Sequence, residues 1–81
     1  MMIIKSDSNI CIGRNLKKYR ELRGLKQVDV VRKLQLLGFS LQPQNYSRIE
    51  KEQEHIPASV LVALCQILDV SLDELFFSND S

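Results

Sequence analysis

The chain has 81 residues, 44% of them hydrophobic and 26% charged, with a net charge of +1. That length allows one domain with a limited core, and the composition is that of a soluble globular protein. No apolar run nears the roughly 18–20 residues that cross a bilayer, and the N-terminal MMIIK is too short for a signal peptide, so a cytoplasmic protein with no membrane partner is expected.

Residues 1–9 read as a flexible N-terminal arm in which Ser6, Asp7, Ser8 and Asn9 offer N-caps for the first helix. That helix is expected over 10–23, with Ile12, Leu16, Tyr19 and Leu22 as its buried stripe, and Gly24 fits the left-handed position that ends it. A second helix begins at Lys26 or Gln27. Its apolar side is Val28, Val31 and Leu34, flanked by Val30 and Leu37. The valines invite a strand, but Asp29, Arg32 and Lys33 recur at helical intervals and the stretch is long for one. Gly38 closes it, and Phe39 and Leu41 plug the core from a short connection.

Residues 42–52 read as a short helix with two unlike sides. Pro43 suits its first position, because the missing N–H would be unpaired there and the ring pre-sets φ. Tyr46 and Ile49 face inward; Gln42, Gln44, Asn45, Ser47, Arg48 and Lys51 face outward. After a polar loop over 52–56, a long helix starts at Pro57 and runs to Leu68, buried along Val60, Leu61, Leu64, Cys65 and Leu68. Ser71 and Glu74 then form a capping box, with Val70 and Leu75 as its hydrophobic staple. The last helix ends near Phe77, and 78–81 should fray. The expected fold class is all-α, a compact domain of five helices over 10–77.

Charge is divided along the chain. Between residues 10 and 34 eight basic residues meet two acids, a balance of +6; from residue 50 onward the balance is −6. The N-terminal half can therefore meet a polyanion, although such runs often only solvate a helix face. The outward side chains of 42–51 add amides that both donate and accept, plus an arginine, which is what reading base edges and gripping phosphates requires. An enzyme is not expected, since His55 lies in an acidic loop without a partner pattern for nucleophilic chemistry. Cys11 and Cys65 read as buried free thiols, and with His55 they lack ligand spacing, so neither metal nor cofactor is expected.

Three segments, IGRNLKKYRELRGLKQ at 12–27, YSRIE at 46–50 and LCQILDVSLDELF at 64–76, together resemble the phage-repressor (Cro and repressor type, XRE) helix-turn-helix family. The resemblance covers about residues 10–77 and implies a lambda-repressor-like DNA-binding domain. It implies that Gln27 donates to a DNA phosphate, that Gln42, Pro43, Gln44, Asn45 and Arg48 occupy base-reading positions, and that Ser47 lies at the phosphate backbone. It also implies that Arg20 and Glu50 form a structural pair tying the first helix to the recognition helix. Pro43 has no donor, which shifts readout to Gln44, Asn45 and Arg48.

The function so implied is sequence-specific binding of double-stranded DNA by a transcriptional regulator, a repressor in kind. Arg48 would take guanine O6 and N7, and Gln44 or Asn45 adenine N6 and N7, while Gln42 completes the base-reading set. Lys17, Lys18, Lys26, Gln27, Ser47 and Lys51 are the phosphate candidates. A domain this small calls for a homodimer on a palindromic operator, with Phe76, Phe77 and the leucines near them as the dimer surface. The rival reading is an antitoxin or protein-interaction module on the same fold, with a regulatory protein partner. Two departures from the family pattern bear on docking: residues 35–40 lengthen the turn, and Glu52 stands where glycine is common. Glu52 and Glu54 would repel phosphate, so the loop carrying them is expected to sit away from the duplex.

Overall fold

A computed structural model of the chain describes residues 12–77 in full and residues 3–4 by their backbone. Five helices form: α1 (Ile12–Leu22), α2 (Gln27–Leu36), α3 (Pro43–Glu50), α4 (Ala58–Leu68) and α5 (Leu72–Phe77). Two short extended pieces, β1 (Ile3–Ile4) and β2 (Ile56–Pro57), pair antiparallel, with Ile3 opposite Pro57 and Ile4 opposite Ile56. β1 falls within the segment read as an arm, whereas β2 takes the last residue of the expected polar loop and Pro57, so that the long helix starts one residue later, at Ala58. The expected caps at 6–9, the start of the first helix at Ile10 and Cys11, and the tail 78–81 lie outside the described residues.

Pro43 opens α3, with Gln42 before it in extended conformation. At α5 the capping box is present in both directions: the Glu74 N–H donates to Ser71 Oγ and the Ser71 N–H to Glu74 Oε1, each at 3.0 Å. Val70 and Leu75, the staple, are both buried. Asp29 closes half of a similar arrangement at α2, its Oδ2 accepting the Lys26 N–H at 2.9 Å.

α1 packs on α3 and α5, α2 packs on α3 and α4, and α4 lies between α2 and α5. The core between them holds Ile12, Leu16, Val30, Leu34, Tyr46, Leu64, Leu68 and Leu75, all fully buried. Three expected core positions are not there. Leu22 is 64% exposed, Val28 50% and Leu37 56%. A helix turns about 100° per residue, so ten residues after Ile12 the stripe has drifted, and α1 buries the side carrying Gly13, Asn15 and Arg20 instead. In α2 the buried row is Val30, Val31 and Leu34, which leaves Val28 on the far side. Cys65 is only half-buried, while Ala63, which the apolar pattern does not mark, is buried. Burial still pushes the Cys65 thiol above its ordinary pKa.

The helix ends share one scheme. After α1, α2 and α3 the same two hydrogen bonds close the last turn, and the residue between them has positive φ: Gly24 at 71°, Gly38 at 98° and Glu52 at 61°. Glycine takes this conformation without cost, whereas a residue with Cβ does not. Glu52→Gly should therefore stabilise the domain by about 0.5–1 kcal/mol, the relief of left-handed strain less glycine's extra unfolded-state entropy. The midpoint of thermal unfolding would rise by about 2–8 °C. An unchanged or lower midpoint would mean that the Glu52 side chain contributes more than its backbone costs.

The longer connection between α2 and α3 is real but does not lengthen α2, which stops at Leu36. Residues 37–42 form the link, with Phe39 and Leu41 half-buried against the core. Among the described residues no helix is long and apolar enough to cross a membrane.

Candidate nucleic-acid interface

The inner side of α3 fixes its orientation. Tyr46 and Ile49 are 0% and 1% exposed, so the helix cannot roll without emptying the core. Its last residue, Glu50, is held by a charged hub. Arg20 Nε donates to Glu50 Oε2 at 2.7 Å and Arg20 Nη2 to Oε1 at 3.0 Å, a two-pronged pairing of guanidinium and carboxylate. Arg20 Nη1 reaches the Leu25 carbonyl at 2.9 Å, and Gln27 Nε2 donates to Glu50 Oε1 at 2.9 Å. The guanidinium thus joins α1 to the turn after it and to the end of α3, and the Glu50 carboxylate ties in the start of α2.

Burial alone would favour a protonated Glu50, but the hydrogen bonds from Arg20 and Gln27 outweigh it and hold the carboxyl below its ordinary range. The Tyr46 hydroxyl lies buried beside the hub. Its oxygen makes no hydrogen bond of normal geometry, yet burial, and then the nearby Glu50 charge, push its pKa well up.

The outer side of α3 carries most of the predicted readers. Gln42, Gln44, Arg48 and Lys51 are exposed and Ser47 is half-buried. Pro43, Gln44, Ser47, Arg48, Lys51 and Gln53 line one shallow open concavity. Gln53 carries no signal in the sequence, where it stands in an unpatterned polar loop. The hydrogen bond from its N–H to the Arg48 carbonyl, 2.8 Å, folds it back beside the helix.

Other predicted residues are placed differently. Asn45 is half-buried, its Nδ2 lying 3.4 and 3.5 Å from the two carboxylate oxygens of Glu54. Arg48 Nη1 lies 3.7 Å from Glu54 Oε1. The 52–54 loop, expected to sit away from the duplex, thus brings Glu54 against two of the predicted readers, because the capping bonds at the end of α3 turn it back toward them. Gln27 is half-buried and commits one amide N–H to Glu50. Lys17 and Lys26 are exposed, and the Lys18 ammonium lies 5.4 Å from the centre of the Tyr19 ring.

The basic half of the chain is less available than its count suggests. Arg20 is spent on Glu50. Arg23 Nε donates to the Leu68 carbonyl at 2.7 Å and its Nη2 to that of Asp69 at 3.0 Å, so its cation satisfies the C-terminal end of α4. Asn15, only 2% exposed, donates from Nδ2 to the Leu75 carbonyl and joins α1 to α5.

Residues 13–80 match the model of a family described as helix-turn-helix domain. Among solved structures, a point mutant of the restriction-modification controller protein C.Esp1396I matches with a TM-score of 0.68 at 22% identity, covering 89% of this chain and 85% of that one. No curated protein matches the chain. The family match spans most of the sequence and the structural match has the same fold: the chain belongs to the helix-turn-helix domain family in its XRE-like form, a DNA-binding domain of the type found in transcription regulators.

Proposed function

We propose that the protein is a sequence-specific repressor that reads the major groove of double-stranded DNA with the outer side of α3, as a homodimer in the cytoplasm. The observation that carries this reading is the two-sidedness of α3: Tyr46, Ile49 and Glu50 are locked inward while Gln42, Gln44, Arg48 and Lys51 stand exposed on the opposite side. Base readers need such rigidity, since a hydrogen-bond pattern is discriminated only when the donors are held in place. Arg48 supplies a bidentate donor for guanine, Gln44 an amide for adenine, and Ser47, Lys51 and Lys26 would make the phosphate contacts that set register.

A second copy would meet this one through the apolar residues left exposed on α5, Leu72 at 44% and Phe77 at 65%. Phe76 packs edge-on against Phe77, with ring centroids 6.0 Å apart, and the neighbouring Leu75 is fully buried in the core. Two such domains would read half-sites about 34–36 Å apart.

Selection from random duplexes is expected to return a palindromic motif. On that motif Arg48→Ala should cost about 1–3 kcal/mol at one base pair and relax the preference there. Lys51→Ala should weaken all duplexes alike and lower the salt slope by about one. An unenriched pool, or an Arg48→Ala protein with its selectivity intact, would sink the reading.

A further inference from the structure

Glu54 is an acid set against a surface proposed to meet a polyanion. Its carboxylate is half-buried, with 31% of the side chain exposed, and it faces two of the candidate readers at once. Asn45 Nδ2 is 3.4 Å from Oε2 and 3.5 Å from Oε1, and Arg48 Nη1 is 3.7 Å from Oε1. Its position is not left to a loose loop. The Glu52 N–H donates to the Ile49 carbonyl at 3.0 Å and the Gln53 N–H to that of Arg48 at 2.8 Å, so the end of α3 itself delivers Glu54 to this place.

We infer that Glu54 is a positioning residue for base readout, orienting Arg48 and Asn45 toward the groove; this rests on the proposed reading by α3. A guanidinium has donors on more than one edge. With Nη1 drawn to Glu54, the other edge is left for guanine O6 and N7, and the number of rotamers that Arg48 must lose on binding falls. For Asn45 the carboxylate attracts the amide nitrogen, which turns Oδ1 the other way as an acceptor. The same negative charge opposes phosphate at every sequence. Glu54 thus lowers affinity for DNA in general and raises discrimination between sequences, a trade that repulsive elements in specific interfaces commonly make.

The test measures binding of the full chain to its selected duplex, to that duplex with the Arg48-read base pair changed, and to random-sequence duplex. Glu54→Gln, which keeps the shape and removes the charge, is expected to bind random duplex more tightly. It should also lose at least about threefold of the 5–150-fold discrimination that a bidentate arginine–guanine contact confers. Glu54→Asp keeps the charge but shortens the reach; it should lose discrimination without gaining affinity for random duplex. In an Arg48→Ala/Asn45→Ala background, Glu54→Gln should leave discrimination unmoved.

Equal tightening on all three duplexes by Glu54→Gln would show phosphate repulsion alone and overturn the positioning role. So would full discrimination in Glu54→Asp. If Arg48→Ala itself leaves discrimination intact, readout by α3 fails and the role of Glu54 fails with it, an outcome distinct from the other two.

Discussion

Arg20→Ala is expected to destabilise the domain by about 3–5 kcal/mol, because it leaves the Glu50 carboxylate buried without its cation. The side chains are 10% and 2% exposed, so water cannot replace the lost partner. Globular proteins hold about 0.05–0.15 kcal/mol per residue, which for 81 residues is about 4–12 kcal/mol in all. The substitution therefore consumes a large share of the stability, and α3 loses the contact that sets its C-terminal end against α1.

Urea unfolding at several pH values checks the cause. In the native protein Glu50 titrates below its ordinary value of 4.5, so its contribution is fully present above that value and is lost as pH falls through the depressed one. In the Arg20→Ala protein the same carboxyl is buried without a counter-charge, the Gln27 amide alone does not offset its desolvation, and its pKa rises above the ordinary value. Protonation then removes the uncompensated charge. The gap between native and variant should narrow as pH falls from 7 toward 4 and below. A gap constant across that range would mean that lost packing of the arginine stem, and not the stranded charge, is responsible. Replacing Arg20 and Glu50 together by apolar residues of similar volume should recover much of the loss.

Gly13→Ala is the second large effect, and its sign is opposite to that of an ordinary helix substitution. On an exposed helix the change would gain about 1 kcal/mol. Here a Cβ on Gly13 would run into the Ile49 carbonyl oxygen and lie 2.8 Å from both the Glu50 carbonyl oxygen and the Glu52 Cγ. The first two are backbone atoms at the end of α3 and cannot swing aside. Overpacking of this kind costs about 1–3 kcal/mol and occasionally more, and relief requires α3 to move off α1. Calorimetry should show a lower unfolding midpoint. Discrimination between duplexes should also fall at temperatures where the variant is still folded, since the reading surface is tilted. A Gly13→Ala protein as stable and as selective as the native one would show that the two helices are not held in this close approach.

Both effects bear on the same property: α3 is a short helix of eight residues and has little intrinsic stability. Its orientation is borrowed from Tyr46 and Ile49 beneath it, from the Arg20–Glu50–Gln27 hub at its end, and from the contact with Gly13 at its side. The polar residues on its outer side are positioned only as well as those supports are.

Local chemistry was readable from the residues alone. The start of α3 at Pro43, the Ser71–Glu74 box, the glycine terminations at Gly24 and Gly38, and the inward pair Tyr46 and Ile49 each depend on neighbours within about four positions, so the sequence contains the whole interaction. The division of α3 into an inner apolar and an outer polar side was legible for the same reason. The pairing of Arg20 with Glu50, thirty residues apart, was legible only through resemblance to a family and not from periodicity.

What the tertiary structure alone decided concerns distances between segments. Leu22, Val28 and Leu37 continue apolar stripes in the sequence but reach positions that no other helix covers. Gly13 looks like any helix glycine until α3 is laid across it. Glu54 looks like a solvated loop acid until the closing bonds of α3 bring it to Asn45 and Arg48. Periodicity specifies which side of a helix is apolar, whereas burial also requires a partner at that place, and the partner is fixed only when all five helices pack together.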